Sequence, residues 1–304
     1  MSDDTSLGPP WTILKILRWT TGYFEDRGVD GARLDAELLL AHVLDIDRIQ
    51  LYTQFDRPLT EDELGTYRGL VKRRAKREPC AYLLGARHFW SLELSVDPRV
   101  LIPRPDTETL VRVCLEKLEE YGVDEESPPR LVDVGTGSGA VALAIASERP
   151  ELDIAATDNS ADALDVARKN AQSLALDESV HFFEGDLLQA LPEPWLPLDF
   201  IVSNPPYIAD GEREEIQAGV RDFEPSSALF AGPDGLDVIR RLITEAREAL
   251  VPGGFLLFEI GHRQGKAVRE LLCAADLQNI EIVPDYGDRD RVAVAQTPSS
   301  QVQR

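Results

Sequence analysis

A chain of 304 residues, 43% of them hydrophobic, can bury a full core and has room for two domains, one of about 200 residues and one of about 100, which excludes a disordered chain. The net charge of −22 is uneven: residues 1–105 carry 15 Lys+Arg against 16 Asp+Glu, and residues 106–304 carry 17 against 38. A field of that sign repels phosphate backbones and argues against free nucleic acid as a partner.

Cys80, Cys114 and Cys273 are odd in number and far apart, so they read as reduced, buried thiols of a cytosolic protein rather than a disulfide frame. His42, His88, His181 and His262 lack ligand spacing, and no metal is expected. The N-terminus lacks a signal-peptide pattern and no apolar run is long enough to cross a bilayer, so the expectation is a cytoplasmic chain without a membrane partner.

From Trp11 the apolar spacing is helical: Trp11, Ile13, Leu14, Ile16 and Leu17, then, beyond Gly28 and Gly31, Leu34, Leu38, Leu39, Leu40, Val43 and Leu44. Thr60-Glu61-Asp62-Glu63 opens a further helix with acids in its first turn. It runs to the basic cluster Lys72–Arg77, which reads as a solvated helix end or as a docking face. Residues 1–86 are therefore expected to form a small helical bundle, a docking domain. Phe89–Val96 alternates like a strand, Asp97-Pro98 reads as a turn and Val100–Ile102 as a returning strand, which makes residues 87–105 a β-hairpin linker. Pro103–Glu108 follows, with Asp106 or Thr107 suited to cap the next helix.

Residues 106–304 then alternate. Strands are expected at Arg130–Val134, Asp153–Thr157, Val180–Glu184, Asp199–Val202 and Gly254–Ile260, with helices at Ala140–Glu148, Ala161–Leu174, Leu236–Leu250 and Gln264–Ala274. The final strands, Ile280–Pro284 and Arg291–Gln296, are joined by a connection too short for a crossover and should pair antiparallel at one edge. The whole is an α/β fold, a Rossmann-like doubly wound sheet of seven strands.

Two stretches carry the chemistry. Asp133-Val134-Gly135-Thr136-Gly137-Ser138-Gly139 links the first strand to the first helix, where glycines permit a tight turn and close approach of a ligand. Asp158 ends the second strand, where a carboxylate accepts the ribose hydroxyls of an adenosine, or caps the following helix. Asp186, after the third strand, is placed to meet an adenine amino group with Leu187 against the ring, and a plain surface turn explains it nearly as well. A nicotinamide dinucleotide would suit such a loop, but Asp133 at the strand end competes with a pyrophosphate and suits an ammonium. S-adenosylmethionine has an amino-acid end and no phosphates. The second stretch is Asn204-Pro205-Pro206-Tyr207, just past the fourth strand. Its prolines stop the strand and stiffen the backbone, so that the Asn204 amide oxygen and the Pro205 carbonyl form a pair of acceptors for an –NH2 group beside the Tyr207 ring. A Pro-Pro turn with an Asn cap is the plainer alternative. The first and fourth strands should flank the topological switch, so both stretches face one cleft.

Here the chain resembles the class I S-adenosylmethionine-dependent methyltransferases, and within them the peptide chain release factor N5-glutamine methyltransferases of the HemK/PrmC type. The Gly loop and Asn204–Tyr207 match the superfamily. Leu101–Glu108, Phe223-Glu224-Pro225 with Ala228-Leu229, and Asp285-Tyr286-Gly287-Asp288 with Arg291 match the narrower family, while Leu187 stands where some relatives carry Trp.

The resemblance implies methyl transfer from S-adenosylmethionine, leaving S-adenosylhomocysteine, to the glutamine of the Gly-Gly-Gln loop of class 1 release factors. Asn204, Pro205 and Tyr207 would be catalytic, with Pro206 completing the substrate clamp. Asp133, Gly135, Thr136, Gly137, Ser138, Gly139, Asp158, Asp186, Leu187 and Asn204 would hold the cofactor. A monomer is expected. An N6-adenine or N2-guanine methyltransferase shares the clamp but calls for a basic face, and a non-catalytic S-adenosylmethionine-binding protein calls for an impaired clamp.

Overall fold

The helical spacing of the N-terminal third is realised as α1 (Ile13–Glu25), α2 (Ala32–Leu44), α3 (Gln50–Thr53), α4 (Glu61–Arg74) and α5 (Cys80–Leu84). The computed structural model describes residues 10–122 and 128–299. The chain divides into two units: the described residues up to Gly85 with Ala218–Phe223, and Ala86–Gln217 with the described residues from Glu224 onward.

In the first unit, the Thr12 side chain caps α1, and a capping box of Thr60 and Glu63 opens α4 as expected. Ile13, Leu17, Phe24, Leu39, Leu40 and Tyr67 fill its core. On α2 the expected stripe buries Leu39, Leu40 and Leu44 but leaves Leu34 exposed, and Asp35 and Glu37 are buried beside it. Arg74 pairs with Asp35 at 2.6 Å, while Arg33 and the Tyr52 hydroxyl both hydrogen-bond Glu37.

These pairs change the reading of the basic cluster. Arg73 forks onto Glu78, Arg74 is committed to Asp35, and Arg77 donates to the carbonyls of Gly28 and Arg27. Three of its arginines therefore hold the unit together rather than stand free. Lys72 instead joins Arg68 beside a cavity of about 210 Å³ lined by Trp11, Trp19 and Tyr23. The short helix α9 (Ala218–Phe223) belongs here too, and Gly219 lies so near Arg77 that a Cβ would sit 2.9 Å from its carbonyl oxygen.

The second unit starts with a hairpin earlier than the alternation implied. Strands β1 (Ala86–Phe89) and β2 (Leu92–Ser95) pair with Phe89 opposite Leu92, which leaves Trp90-Ser91 as a two-residue turn. Trp90 has φ +55°, a costly conformation for a residue with a side chain. Its amide donates to Glu108 and its indole N–H to Glu148 at 2.7 Å, which fixes it there. Val100–Ile102 is no returning strand. The Asp97 carboxylate accepts the Arg99 amide in a local turn, and the Ile102 amide goes to Glu224.

Seven strands follow: β3 (Arg130–Val134), β4 (Asp153–Asp158), β5 (Val180–Glu184), β6 (Leu198–Ser203), β7 (Leu250–Glu259), β8 (Gln278–Pro284) and β9 (Asp290–Gln296). They order as β5-β4-β3-β6-β7-β9-β8, parallel from β5 to β7 and antiparallel at the β7–β9 and β9–β8 pairs, as the short last connection requires. Alternate residues go to opposite faces. Leu131, Ile154, Phe200 and Leu257 pack under α6 (Glu108–Tyr121) and α7 (Ala140–Glu148), while Val132, Ile201, Leu256 and Ala293 pack under α10 (Asp237–Ala249) and α11 (Gly265–Ala274).

Against expectation only Cys114 is fully buried, where burial pushes its thiol up; Cys80 is half-buried and Cys273 exposed. No helix among the described residues is long and apolar enough to cross a membrane.

Candidate active site

Strands β3 and β6 are neighbours, and from them the chain winds outward to β4 and β5 on one side and to β7 on the other. Their C-terminal ends therefore part company and leave a crevice. The Gly loop leaves β3 there and Asn204 leaves β6 there. The crevice has two lobes. One, of about 210 Å³, is lined by Gly135, Gly137, Asp158, Asp186, Leu187, Asn204 and Pro206, with Arg99, Leu101 and Arg241. The other, of about 50 Å³, is lined by Asp133, Gly135, Thr136, Gly137, Ser138 and Asn204, with Leu101, Pro103 and Thr107. Asn204 borders both.

Gly135 and Gly137 adopt φ +73° and +57°, and a Cβ on either would meet nothing within 4 Å, so their backbone faces open space. Gly139, at φ +83°, serves packing instead: a Cβ would lie 2.9 Å from Leu143. The loop amides are spent internally. Gly135 and Thr136 donate to the Thr157 carbonyl, Gly137 to Asp158 at 2.9 Å, and Gly139 to Thr136. A loop whose N–H groups are committed in this way has few left for phosphate oxygens, which fits a ligand without phosphates.

Asp133 is 1% exposed and accepts the Thr136 hydroxyl at 2.6 Å and the Ala142 amide at 3.2 Å. Burial raises its carboxyl to about 6, against the pull of those two donors. Such a group gains most from a cation brought beside it. Asp158 takes the Gly137 amide on one oxygen and the Ser160 amide on the other, and burial raises it too. It does not cap the next helix, α8 (Ala161–Ser173); the Ser160 hydroxyl does. Asp186 reaches the same lobe with one oxygen held by Arg241 at 2.5 Å. Leu187 stands beside it at φ +48°.

The Asn204 Nδ2 donates to Thr107 Oγ1 at 3.1 Å, which leaves Oδ1 as the free end of the amide. Pro206 lines the larger lobe, and Pro205 is buried behind it. Tyr207 lines neither lobe. Its ring packs against the core under α10 and its hydroxyl donates to Glu259 at 3.0 Å. The Tyr207 carbonyl is gripped by Gln264, and Gly235 comes so close that a Cβ would lie 2.2 Å from it.

Neither expected cap of α6 acts as one. A 3-10 turn, Pro105–Thr107, leads into the helix; Thr107 turns to Asn204 and Asp106 pairs with Arg291 at 3.2 Å. Arg241 and Glu259 are site residues that the motifs alone did not single out, and Thr107 entered only as a candidate cap within Leu101–Glu108. Their signal is tertiary: a buried acid at a strand end, and polar groups that converge only in space.

Seven strands in this order, a Gly loop at the switch and an acid closing β4 define a class I methyltransferase. The catalytic domain of human METTL16, solved with an RNA hairpin, has the same fold at TM-score 0.56 and 17% identity, over 74% of this chain and 83% of that one. Residues 15–85 match the family described as PrmC N-terminal domain, and residues 111–224 match the methyltransferase small domain. Among curated relatives, the release factor glutamine methyltransferase of Xylella fastidiosa is 48% identical over 88% of this chain and 94% of its own length. That of Rhodopirellula baltica is 43% identical over 84% and 86%. The chain belongs to the release factor glutamine methyltransferase family.

Proposed function

We propose that the cleft binds S-adenosylmethionine and that the chain methylates the side-chain amide nitrogen of the glutamine in the Gly-Gly-Gln loop of class 1 release factors. The observation that carries the reading is Asn204: it borders both lobes, with its nitrogen tied to Thr107 and its oxygen left over. Asp133 would hold the ligand's ammonium, Asp158 its ribose hydroxyls, and Asp186 with Leu187 the adenine. When bound, the cofactor supplies a methyl group on a sulfonium, an electrophile that needs no further activation.

An amide nitrogen is a weak nucleophile because its lone pair is delocalised. Asn204 Oδ1 and the Pro205 carbonyl each accept one N–H, which fixes the plane of the substrate amide and aims its lone pair. The transfer then depends on orientation and electrostatics, and the methylated amide sheds its extra proton readily. Tyr207 contributes from behind the clamp, through Glu259, rather than as an exposed platform. The first unit is the docking domain for the protein substrate. Its exposed Trp19, Ile49, Tyr52 and Phe55 support that role.

The test is label transfer from S-adenosylmethionine, with release factor, ribosomal RNA and DNA offered separately to the full chain. Label in release factor alone is expected. Label in nucleic acid would favour the N6-adenine or N2-guanine methyltransferase reading.

A further inference from the structure

The turn that follows β5 is gripped by one face of α10. Leu187 opens it at φ +48°, a costly conformation for a residue with a side chain, so the turn needs support from outside. Val238, Arg241 and Glu245 share a face of α10 by their spacing of three and four residues. Glu245 accepts the Leu188 amide at 3.1 Å on one oxygen and the Gln189 side-chain amide at 3.3 Å on the other. One turn of helix earlier, Arg241 Nη2 donates to Asp186 Oδ2 at 2.5 Å, which leaves Oδ1 as the free end of that carboxylate among the described residues. Val238, Arg241, Asp186 and Leu187 all line the larger lobe of the crevice.

Purine rings are alike in shape, so an aliphatic side chain such as Leu187 against the ring face does not tell one from another. The edge does. Adenine carries an amino group, a donor, where a 6-oxo purine carries an acceptor, with an N–H donor beside it at N1. An ionised carboxylate only accepts, but if it is free to swing it can accept from the adenine amino group or from the N1–H of the oxo form. Held in one place, it meets a donor in the first and another acceptor in the second, and that clash of acceptors is what rejects the wrong base. Discrimination therefore depends on whatever fixes the carboxylate. The Asp186 side chain is half-exposed, and the Arg241 guanidinium is the group that holds it.

We infer that Arg241 is a specificity-determining positioning residue: by holding Asp186 Oδ2 it fixes the carboxylate so that Oδ1 accepts the amino group of adenine and turns away 6-oxo purines. The inference rests on the reading of Asp186 as the adenine acceptor. It gives a task to an arginine of α10 that reaches across to the end of another element, and it makes α10 a part of the cofactor site through its side chains. Arg241→Met keeps the length and the helix propensity of the side chain but removes both donor and charge, so Asp186 is free to change its rotamer. Arg241→Lys retains a cation and a donor without the planar fork.

The experiment is calorimetric binding to the full chain of two ligands, S-adenosylhomocysteine and S-inosylhomocysteine, which differ in the 6-amino and 6-oxo groups, with Tm read on the same variants. The unaltered chain should prefer the adenine form by about tenfold to a hundredfold, the worth of a hydrogen bond to a charged acceptor. Arg241→Met should lose most of that preference, in part by binding the inosine form better, and Arg241→Lys should lose less. Tm should stay nearly unchanged in both, because the ion pair is half-exposed and such pairs add little to stability. Arg241→Met with the full preference overturns the inference. So does an equal loss of affinity for both ligands, which would make Arg241 a support for the turn and nothing more. Asp186→Ala separates this inference from the reading beneath it. If Asp186→Ala keeps the preference, or the unaltered chain has none, Asp186 does not read adenine and both fall; if Asp186→Ala abolishes the preference while Arg241→Met retains it, this inference fails alone.

Discussion

Asp133 is the residue whose burial says most about its ligand. A carboxyl raised to about 6 from an unfolded value of about 3.9 binds more protons folded than unfolded between those two values. Stability from this group is thus present below about pH 4 and is lost as pH rises through about 6, by about 3 kcal/mol. A cationic ligand reverses the preference, because it favours the ionised form. Affinity for S-adenosylmethionine should therefore rise with pH by up to tenfold per unit below about 6 and level off above it. Asp133→Asn should bind weakly and without that slope; calorimetry across pH decides. Asp158→Ala should cost about 2 kcal/mol of cofactor affinity, through lost ribose contacts and through the Gly137 amide it now strands. Asn204→Ala should leave affinity nearly intact and lower turnover by roughly 10²–10³, read from single-turnover rates. The sequence makes these three legible because each closes or follows a strand within a short motif. It hides Thr107 and Glu259, because what each does depends on partners 97 and 52 residues away.

At the scale of elements, the loop after β6 is held from outside rather than by its own prolines alone. Gly235 has φ +72° and lies against the Tyr207 carbonyl, while Gln264 donates to that same carbonyl. Gly235→Ala must push the loop away or strain its own turn, at about 1–3 kcal/mol. We expect a lower Tm and a kcat that falls more than cofactor affinity does, measured by thermal melts and kinetics. A variant with unchanged kcat would show that the loop tolerates displacement. The seven strands were legible, and so were the adjacency of the first and fourth and the antiparallel last pair, since buried parallel strands and amphipathic helices leave strong periods and a short connection forbids a crossover. The hairpin was misplaced by several residues. A bulky Trp in a left-handed turn runs against turn chemistry and is held by Glu108 and Glu148, which lie in other elements.

On the scale of the molecule, the first unit spends most of its arginines on contacts within itself. Arg74→Ala should destabilise it by about 3 kcal/mol, because Asp35 would be left buried without its partner. Arg68→Glu with Lys72→Glu, beside the aromatic cavity, should leave Tm nearly unchanged and raise KM for release factor, more at low salt than at high. Equal KM at low salt would remove that cavity rim from the docking role. The central claim is that the acceptor is a glutamine side-chain amide, and tandem mass spectrometry of release factor after reaction with the full chain and S-adenosylmethionine tests it most directly. The account predicts one added methyl on the side-chain nitrogen of the Gly-Gly-Gln glutamine, absent with Asn204→Ala. A methyl on any other residue, or a release factor left unmodified while nucleic acid is labelled, would contradict it.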